Sequence, residues 1–430
     1  MKRPVRLAYL VSHPIQYQVP LLLRLAKEPD IELTVLYGSD FSVRGYRDDG
    51  FGVELKWDMP LLEGYRNEML PVLRDIGTQT VTSPLNHGIV SRLRGRGGEP
   101  PFDLLWVHGY AMVNSMVAMA AAKALGIPVL MRSDSTLRDR MRGGAKLAAK
   151  KVFFAGLRQM IDGVLTAGTY NEEYWRYYTD GRVPLFHMPY AVDNDFFRQR
   201  SEEAAGRRGE LLAELGMEPG RPMILFASKL QFRKHADHLL EAYKRLLERS
   251  ALRPYLVIVG DGEARAELEA AAAGVEGVRF CGFRNQSELP RFFDLASVFV
   301  LPARHEPWGL IVNEVMAAGR PVIVSDDVGC HPDLITNGVE GFVYPVGDVD
   351  ALTEALRQVM GIPGLAERMG ESARARISGW GFEQNVAGLR QAIAALTKKI
   401  AVERESLLGE AGVVELGEDS SELHQMVAEH

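Results

Sequence analysis

Short aliphatic runs alternate along this chain with longer segments of helical period, and this alternation restricts the fold more than any other feature. Runs such as Val129–Arg132 and Tyr255–Val259 are apolar at nearly every position. Strands that are apolar on both sides are typical of parallel sheets covered by helices on both faces. The sequence therefore predicts two doubly wound α/β domains. The predicted strands are Arg6–Val11, Ile31–Tyr37, Leu104–His108, Val129–Arg132, Gly163–Ala167, Met223–Ala227, Tyr255–Val259, Val278–Phe280, Val298–Leu301 and Val322–Ser325.

The boundary between the two domains is expected near residue 195. The first series of strands ends before the polar helix predicted at Ser201–Leu215, and Gly220-Arg221-Pro222 precedes the second series. We therefore predict a first domain at residues 1–195 and a second at 196–383. A helix at 384–400 is expected to pack back on the first domain, and residues 401–430 are predicted to form an acidic mobile tail.

Composition excludes several classes of protein. Of the 430 residues, 47% are hydrophobic and 25% are charged, which is usual for a folded soluble protein. The two cysteines, Cys281 and Cys330, cannot supply a disulfide framework, so the sequence predicts a cytoplasmic protein. No apolar run approaches the roughly 20 residues that span a bilayer. The formal charge of −6 arises in the acidic tail, so general nucleic-acid binding is not expected.

The segment from Arg304 to Glu314 follows a predicted strand and leads into a helix predicted at Val315–Ala318. Ligands of open parallel sheets bind at the carboxyl ends of strands, near helix N-termini. The carboxylates of Glu306 and Glu314 therefore lie at a candidate site, where each could accept hydrogen bonds from neighbouring sugar hydroxyls. The alternative is that both are ordinary capping or surface residues.

Two lysines follow another predicted strand. Lys229 lies at the end of Met223–Ala227 and Lys234 lies before the next helical segment. Both cations are expected to face the same crevice, where they could hold a diphosphate and stabilise its developing charge. The alternative is that they are surface lysines without a function.

Four further segments are less informative. Gly260-Asp261-Gly262 and Phe280-Cys281-Gly282-Phe283 each end a strand, and the second could lie against a nucleotide base. Asp326-Asp327 is interpreted as a turn rather than a metal site, because no other ligands converge on it. The basic stretch Arg92–Gly98 is interpreted as an exposed loop.

Together these segments resemble a known family. Glu306 and Glu314, separated by seven residues and followed by Met316-Ala317-Ala318-Gly319-Arg320-Pro321, resemble the EX7E motif of the retaining GT-B glycosyltransferases called family 4. Ser228–Lys234, the Gly-Asp-Gly turn and the Phe-Cys-Gly-Phe segment resemble other motifs of that family in the same order. Pro189-Tyr190-Ala191-Val192-Asp193 resembles a family segment of the first domain.

The resemblance implies a fold, a reaction and a set of roles. It implies the GT-B fold, with two Rossmann-like domains and an intervening cleft, and transfer of a sugar, of hexosyltransferase type, from a nucleotide diphosphate donor with retention of configuration. Lys229 and Lys234 would hold the diphosphate, and Glu306 would contact the transferred sugar. Glu314 would bind the ribose. Residues implied to assist donor binding are Trp308, Gly309, Leu310, Gly282 and Phe283.

No cofactor or metal is expected, because lysines and helix N-termini would replace the metal. The acceptor would be a glycan, a lipid or a small molecule, as in the biosynthesis of a polysaccharide or glycoconjugate. Two alternatives stay open: a nucleotide-sugar-binding protein without catalysis, and another GT-B enzyme such as a nucleotide-sugar epimerase.

The chain departs from the family pattern at three places. Lys229 replaces a usual arginine, Asp134 replaces a frequent histidine, and Ser12–Gln18 replaces a glycine-rich loop. The candidates for contact with the acceptor or the sugar are His13, Gln16, Tyr17, His108 and Asp134. The alternative for the two histidines is a structural role.

The region 138–161 combines many basic residues with apolar ones. This pattern suits a basic amphipathic helix in peripheral contact with an anionic membrane, on its inner face. An ordinary helix packed on the sheet also explains the pattern.

Overall fold

The computed structural model of the chain describes residues 3–48, 53–55, 57–95, 97–138 and 143–397, so the predicted tail at 401–430 lies outside the described residues. The strands are β1 Val5–Val11, β2 Ile31–Tyr37, β3 Tyr46–Asp48, β4 Val53–Leu55, β5 Asn67–Met69, β6 Val72–Arg74, β7 Leu85–Asn86, β8 Leu104–His108, β9 Val129–Arg132, β10 Gly163–Thr166, β11 Leu185–His187, β12 Met223–Ala227, β13 Tyr255–Val259, β14 Val278–Phe280, β15 Val298–Leu301, β16 Val322–Ser325 and β17 Gly341–Tyr344.

The helices alternate with these strands. They are α1 Val19–Leu25, α2 Ile89–Arg94, α3 Val113–Ala124, α4 Gly144–Met160, α5 Thr169–Tyr178, α6 Asn194–Ala204, α7 Arg208–Leu215, α8 Ala236–Arg249, α9 Arg265–Ala271, α10 Leu289–Leu295, α11 Leu310–Ala317, α12 His331–Leu334, α13 Val349–Gly361, α14 Leu365–Ser378 and α15 at 382–397. Short 3₁₀ turns lie at Gln16–Gln18, Ala205–Arg207 and Phe232–Lys234.

Two separate parallel sheets form the cores of the chain. The first has seven strands in the order β11-β10-β9-β8-β1-β2-β5, and the second has six in the order β14-β13-β12-β15-β16-β17. In both sheets the order reverses beside the first strand, which creates a crevice at the carboxyl ends of β1 and β8 and of β12 and β15. The predicted pair of doubly wound domains is confirmed.

Both faces of each sheet are covered. All residues of β12, β13 and β15 are buried, because helices pack on either side of them. This burial explains why the strands are apolar throughout. The ends of β12 and β13 approach so closely that a side chain at Gly260 would collide with the Ser228 carbonyl, and Gly260 also has a φ of 132°. Only glycine fits there.

The last described helix, α15, packs on the first sheet although the second domain precedes it in the chain. Its residues Val386 and Leu389 are buried in the same cluster as Leu7 of β1 and Trp106 of β8. Gly388 lies so close to the His187 carbonyl that a Cβ would collide with it. The domain limits given above stay a prediction.

The structure corrects several local predictions. Residues 201–215 are not one helix, because α6 ends at Ala204 and a 3₁₀ turn precedes α7. The helix predicted at Val315 begins earlier, at Leu310. Arg92 is not in an exposed loop: it lies in α2, is 4% exposed, and pairs with Glu68 at 2.6 Å and Glu99 at 3.2 Å. The segment expected to be an exposed loop is therefore helical in its first part, and its Arg92 belongs to an ion-pair network.

Candidate active site

The candidate site lies where the order of the second sheet reverses. The segments after β12 and β15 carry the residues that the sequence analysis selected, and they meet in a cavity of about 360 Å³. Residues of the first domain close the opposite side. The polar and backbone groups that line the cavity include Gln16, Tyr17, Lys229, Arg233, Lys234, Gln286, Glu306, Gly309 and Glu314.

Lys234 and Glu306 form a buried ion pair in this cavity. The Lys234 ammonium donates to Glu306 Oε2, and the Arg233 guanidinium lies 3.3 Å from the same oxygen. Lys234 is 7% exposed. Although burial alone would raise the pKa of Glu306, the neighbouring cations outweigh it and lower that pKa. Glu306 is therefore an ionised carboxylate that holds two cations in the lining of the cavity.

The loop that carries Glu306 is fixed by its backbone. The Gly329 amide donates to the Glu306 carbonyl at 2.9 Å, and the Glu306 amide donates to the Asp327 carbonyl at 3.2 Å. The side chain of Asp327 accepts from the His305 amide, and that of Asp326 accepts from the Val346 amide. Both aspartates thus bind backbone amides, which agrees with a turn.

Helix α11 points its first turn at the cavity. Gly309, with a φ of 91°, precedes the helix, and it has no side chain with which to cap the first amides. Gly309 and Leu310 line the cavity. The first N–H groups of a helix have no partner within it, and they carry partial positive charge. An anion in the cavity would meet these amides on one side and the cations beside Glu306 on the other.

Glu314 lies one turn further along α11 and is 7% exposed. Gln286 Nε2 donates to Glu314 Oε1 at 3.3 Å, and Glu314 Oε2 has no hydrogen-bond partner among the residues that the structure describes. Burial raises the pKa of Glu314 to about 8, while the bond from Gln286 opposes this rise. The buried carboxyl therefore keeps one oxygen available to a ligand.

Gln286 also joins the two domains. Its Oε1 accepts from Gln16 Nε2 of the first domain, so that a chain of hydrogen bonds runs from Gln16 to Glu314. Beside it, the Ser287 amide donates to Asp58 Oδ2 at 3.2 Å. Gln16 thus contacts the second domain, and its predicted contact with the acceptor or the sugar stays a prediction.

Only some of the residues implied to bind the donor line the cavity. Phe283 lines the cavity, and Gly282 forms the preceding turn with a φ of 67°. The Trp308 ring faces away, because it packs against Tyr190 and Trp380 and donates through Nε1 to Asn313 at 3.0 Å. Trp308 therefore supports the contact between domains with its side chain.

The two histidines among the acceptor-side candidates are partly buried in the first domain. His108 ends β8, and burial together with nearby Arg132 lowers its pKa to about 3. Burial lowers the pKa of His13 to about 4, and the His13 ring packs on Phe41. Both imidazoles are therefore neutral at physiological pH. Tyr17 lines the cavity, whereas Asp134 is exposed and lines neither the cavity of about 360 Å³ nor the larger one described below.

Sequence reasoning missed Arg233 and Gln286. Arg233 lies within the quoted segment between the two lysines, and its charge was a usable signal. Gln286 had no such signal, because a lone glutamine after a strand has no characteristic pattern.

A second cavity of about 850 Å³, lined by both domains, adjoins the first at Tyr17 and Gln286.

One group of side chains among the described residues has spacing suited to a metal. Ligand atoms of His235, Asp237 and His238 lie within 4.8 Å of one another. However, the two imidazole rings stack in parallel at 4.1 Å, so their nitrogen lone pairs do not converge on one point. None of the three lines the cavity of about 360 Å³. The expectation that no metal is required stays a prediction.

Comparison with known proteins identifies relatives of the chain. A family model described as "Glycosyl transferases group 1" matches residues 208–376. A D-inositol 3-phosphate glycosyltransferase from Kribbella flavida is 32% identical over 315 residues, which cover 69% of this chain and 72% of that protein. An alpha-D-kanosaminyltransferase from Streptomyces kanamyceticus is 32% identical over 184 residues, 42% of this chain, and the match spans 46% of the length of that relative.

A solved structure supports the architecture. The crystal structure of Anabaena HepE in complex with UDP and glucose is similar with a TM-score of 0.66 and 15% identity, and the match covers 92% of this chain and 100% of that one. At this identity the similarity concerns the fold alone. It confirms the predicted GT-B arrangement of two Rossmann-like domains.

Proposed function

The chain belongs to the glycosyl transferases group 1 family, and we propose that it transfers a sugar from a nucleotide diphosphate sugar to an acceptor with retention of the anomeric configuration. The observation that carries the proposal is the cavity in which Lys234, Glu306 and the uncapped start of α11 surround a space for an anion. EX7E spacing of Glu306 and Glu314 supports assignment to the retaining, family 4 type.

In this proposal the donor diphosphate lies between the first amides of α11 and the side chains of Lys229 and Lys234. Cations and oriented amides stabilise the negative charge that develops as the bond between sugar and phosphate breaks. Glu306 orients Lys234 and Arg233 before the donor arrives, since it contacts both. It would then face the transferred sugar.

Glu314 would bind the nucleotide through its ribose. Its unpartnered Oε2 is buried beside Phe283 and Gln286, so an entering hydroxyl would supply the missing hydrogen bond. The new glycosidic bond forms on the face from which the diphosphate leaves. A leaving phosphate oxygen takes the proton of the acceptor hydroxyl, so the reaction needs neither a metal nor another base.

The relatives suggest the first substrates to test. The similar Anabaena protein was crystallised with UDP and glucose, so UDP-glucose is the first donor. Inositol 3-phosphate is the first small acceptor, since it is named for the Kribbella relative. The two free cysteines are consistent with a reducing compartment, and we place the reaction in the cytoplasm.

The test is transfer of a labelled sugar. The full chain is incubated with labelled uridine or guanosine diphosphate sugars and with candidate acceptors, and the anomeric configuration of the product is determined by NMR. We expect a glycoside with the donor's configuration, and loss of product in Glu306→Gln. Donor binding without product for any acceptor would favour the non-catalytic alternative. An inverted product would exclude the retaining mechanism.

A further inference from the structure

Four buried polar atoms around one small cavity have no hydrogen-bond partner among the described residues. They are Trp106 Nε1, Arg132 Nη1, Tyr190 Oη and Asn385 Oδ1, and all four side chains line the cavity. The volume of the cavity is about 20 Å³, which leaves room for roughly one or two occupants of the size of water. Because buried polar groups in proteins are normally paired, the cluster indicates an occupant that supplies the missing hydrogen bonds.

The cavity lies at the carboxyl edge of the first sheet. His108 ends β8 and Arg132 ends β9, and both line it. Leu21 and Leu22 of α1 lie against the same space. Tyr17 lines both this cavity and the cavity of about 360 Å³. The small cavity therefore adjoins the candidate active site without being part of it.

The charge of Arg132 decides what kind of occupant fits. Arg132 is 3% exposed, and among the described residues no carboxylate forms an ion pair with it. Its Nη2 donates to the Pro189 carbonyl at 3.1 Å, and its guanidinium lies 4.9 Å from the centroid of the Tyr190 ring. Both of these partners are neutral. Burial lowers the pKa of Arg132, but a guanidinium in a protein stays protonated, so a desolvated positive charge lacks a counter-charge.

Cations on the surface of the chain are in a different position, because partners or water surround them. On α4, Lys150 lies 4.6 Å from the centroid of the Tyr174 ring, and Arg158 pairs with Asp180. Among the described residues no helix is long and apolar enough to cross a membrane. The peripheral membrane contact predicted for the region 138–161 stays a prediction, and part of that region lies outside the described residues.

We infer that the small cavity is a binding site for a small monovalent anion such as chloride, held by the Arg132 guanidinium, the Trp106 indole N–H and the Tyr190 hydroxyl. A water molecule has two lone pairs and no charge, so it would neither accept from all three donors nor compensate Arg132. A phosphate group or a sugar needs more room than the cavity has. The inference does not depend on the proposed reaction.

The remaining groups of the cavity agree with a single negative charge. The His108 imidazole is neutral, since its pKa is lowered to about 3, so Arg132 is the cation that the anion balances. Asn385 Oδ1 is an acceptor, and its orientation is set because Asn385 Nδ2 donates to the Pro189 carbonyl at 2.6 Å. One water beside the anion would donate to Asn385 Oδ1 and to the anion, and the volume accommodates both.

An anion at this place would stabilise the connection between the two domains. Pro189 and Tyr190 lie in the segment that joins β11 to α6. The Tyr190 carbonyl accepts from Asn313 Nδ2 at 3.1 Å and from Trp380 Nε1 at 2.8 Å, both beyond that segment in the chain. A ligand that binds only the folded state raises its stability by mass action. Occupancy by chloride should therefore be measurable as thermal stability.

The experiment measures the melting temperature of the full chain while chloride replaces gluconate at a constant ionic strength of about 0.3 M. Gluconate has the same charge but is too large for the cavity. We expect the melting temperature to rise with chloride as it does for binding to one site. Tyr190→Phe removes one donor and keeps the ring, so it should weaken the apparent chloride affinity by roughly 10-fold.

Tyr344→Phe is the matched control. The Tyr344 hydroxyl is also buried without a partner among the described residues, but it does not line this cavity. This variant should keep the chloride dependence of the wild type. Melting temperatures in gluconate check that both variants fold. Equal melting temperatures of the wild type in chloride and in gluconate, or the same loss of chloride dependence in both variants, would overturn the inference.

A second measurement locates the ion. In crystals of the wild type grown with bromide, an anomalous difference peak in contact with Arg132 Nη1 is expected. Density for water without an anomalous signal would overturn the inference, because the cavity would then hold water only. A bromide peak without any chloride dependence in solution would also overturn it, since this would be binding at crystal concentration only.

Discussion

Replacement of Glu314 by glutamine should stabilise the protein while it weakens binding of the donor. In the free protein this carboxyl is buried, has one unpartnered oxygen, and has a pKa raised by burial to about 8 from the ordinary 4.5. Above the ordinary pKa the unfolded chain loses this proton, whereas the folded chain keeps it. The folded state therefore binds more protons, and its stability falls as the pH rises.

The magnitude follows from the two pKa values. Each unit of pKa difference corresponds to about 1.4 kcal/mol, so the free energy of unfolding should be lower by about 3 kcal/mol at about pH 7 than without this carboxyl. At about pH 5 the same cost is under about 1 kcal/mol. Glu314→Gln keeps the shape and cannot ionise, so it should remove this pH dependence.

The assay is urea unfolding of the wild type and of Glu314→Gln between about pH 5 and about pH 7. The difference between the two isolates the contribution of Glu314 from that of other titrating groups. Glu218→Gln, at an exposed position, is the matched control and should leave the pH dependence unchanged. Parallel curves for wild type and Glu314→Gln would refute the reasoning, because the carboxyl would then be hydrated in solution.

Three further outcomes are expected. Binding of UDP at about pH 7 should release part of one proton, because ribose hydroxyls favour the ionised form of Glu314. Calorimetry in buffers of different ionisation enthalpy measures this release, and Glu314→Gln should release none while it loses about 1–3 kcal/mol of UDP affinity. Lys234→Ala should lower kcat by roughly 100-fold or more with a smaller effect on donor affinity, since its charge acts mainly as the bond breaks; an unchanged kcat would remove Lys234 from the mechanism. Activity should persist in EDTA, and loss that magnesium or manganese restores would contradict a metal-free site.

Sequence reasoning was most successful for the second domain. Its strands Met223–Ala227 and Val298–Leu301 were predicted with the bounds that the structure has, because strands buried on both faces are apolar throughout. The edge strand Gly341–Tyr344 was missed, since it is less buried and its pattern is weak. In the first domain the edge strands β5 and β11 were missed for the same reason.

The sequence by itself determined that there are two sheets, the order in which the motifs follow the strands, and the carboxylates and lysines that those motifs carry. These features are local, since the spacing of apolar residues and the residues that follow a strand can be identified within a short stretch of sequence. Tertiary structure alone decided that Lys234 pairs with Glu306, that Glu314 keeps an unpartnered oxygen, and that Gln16 reaches Gln286. Each of these depends on burial and on contacts between distant segments, because the same side chain is solvated or desolvated only according to what packs against it.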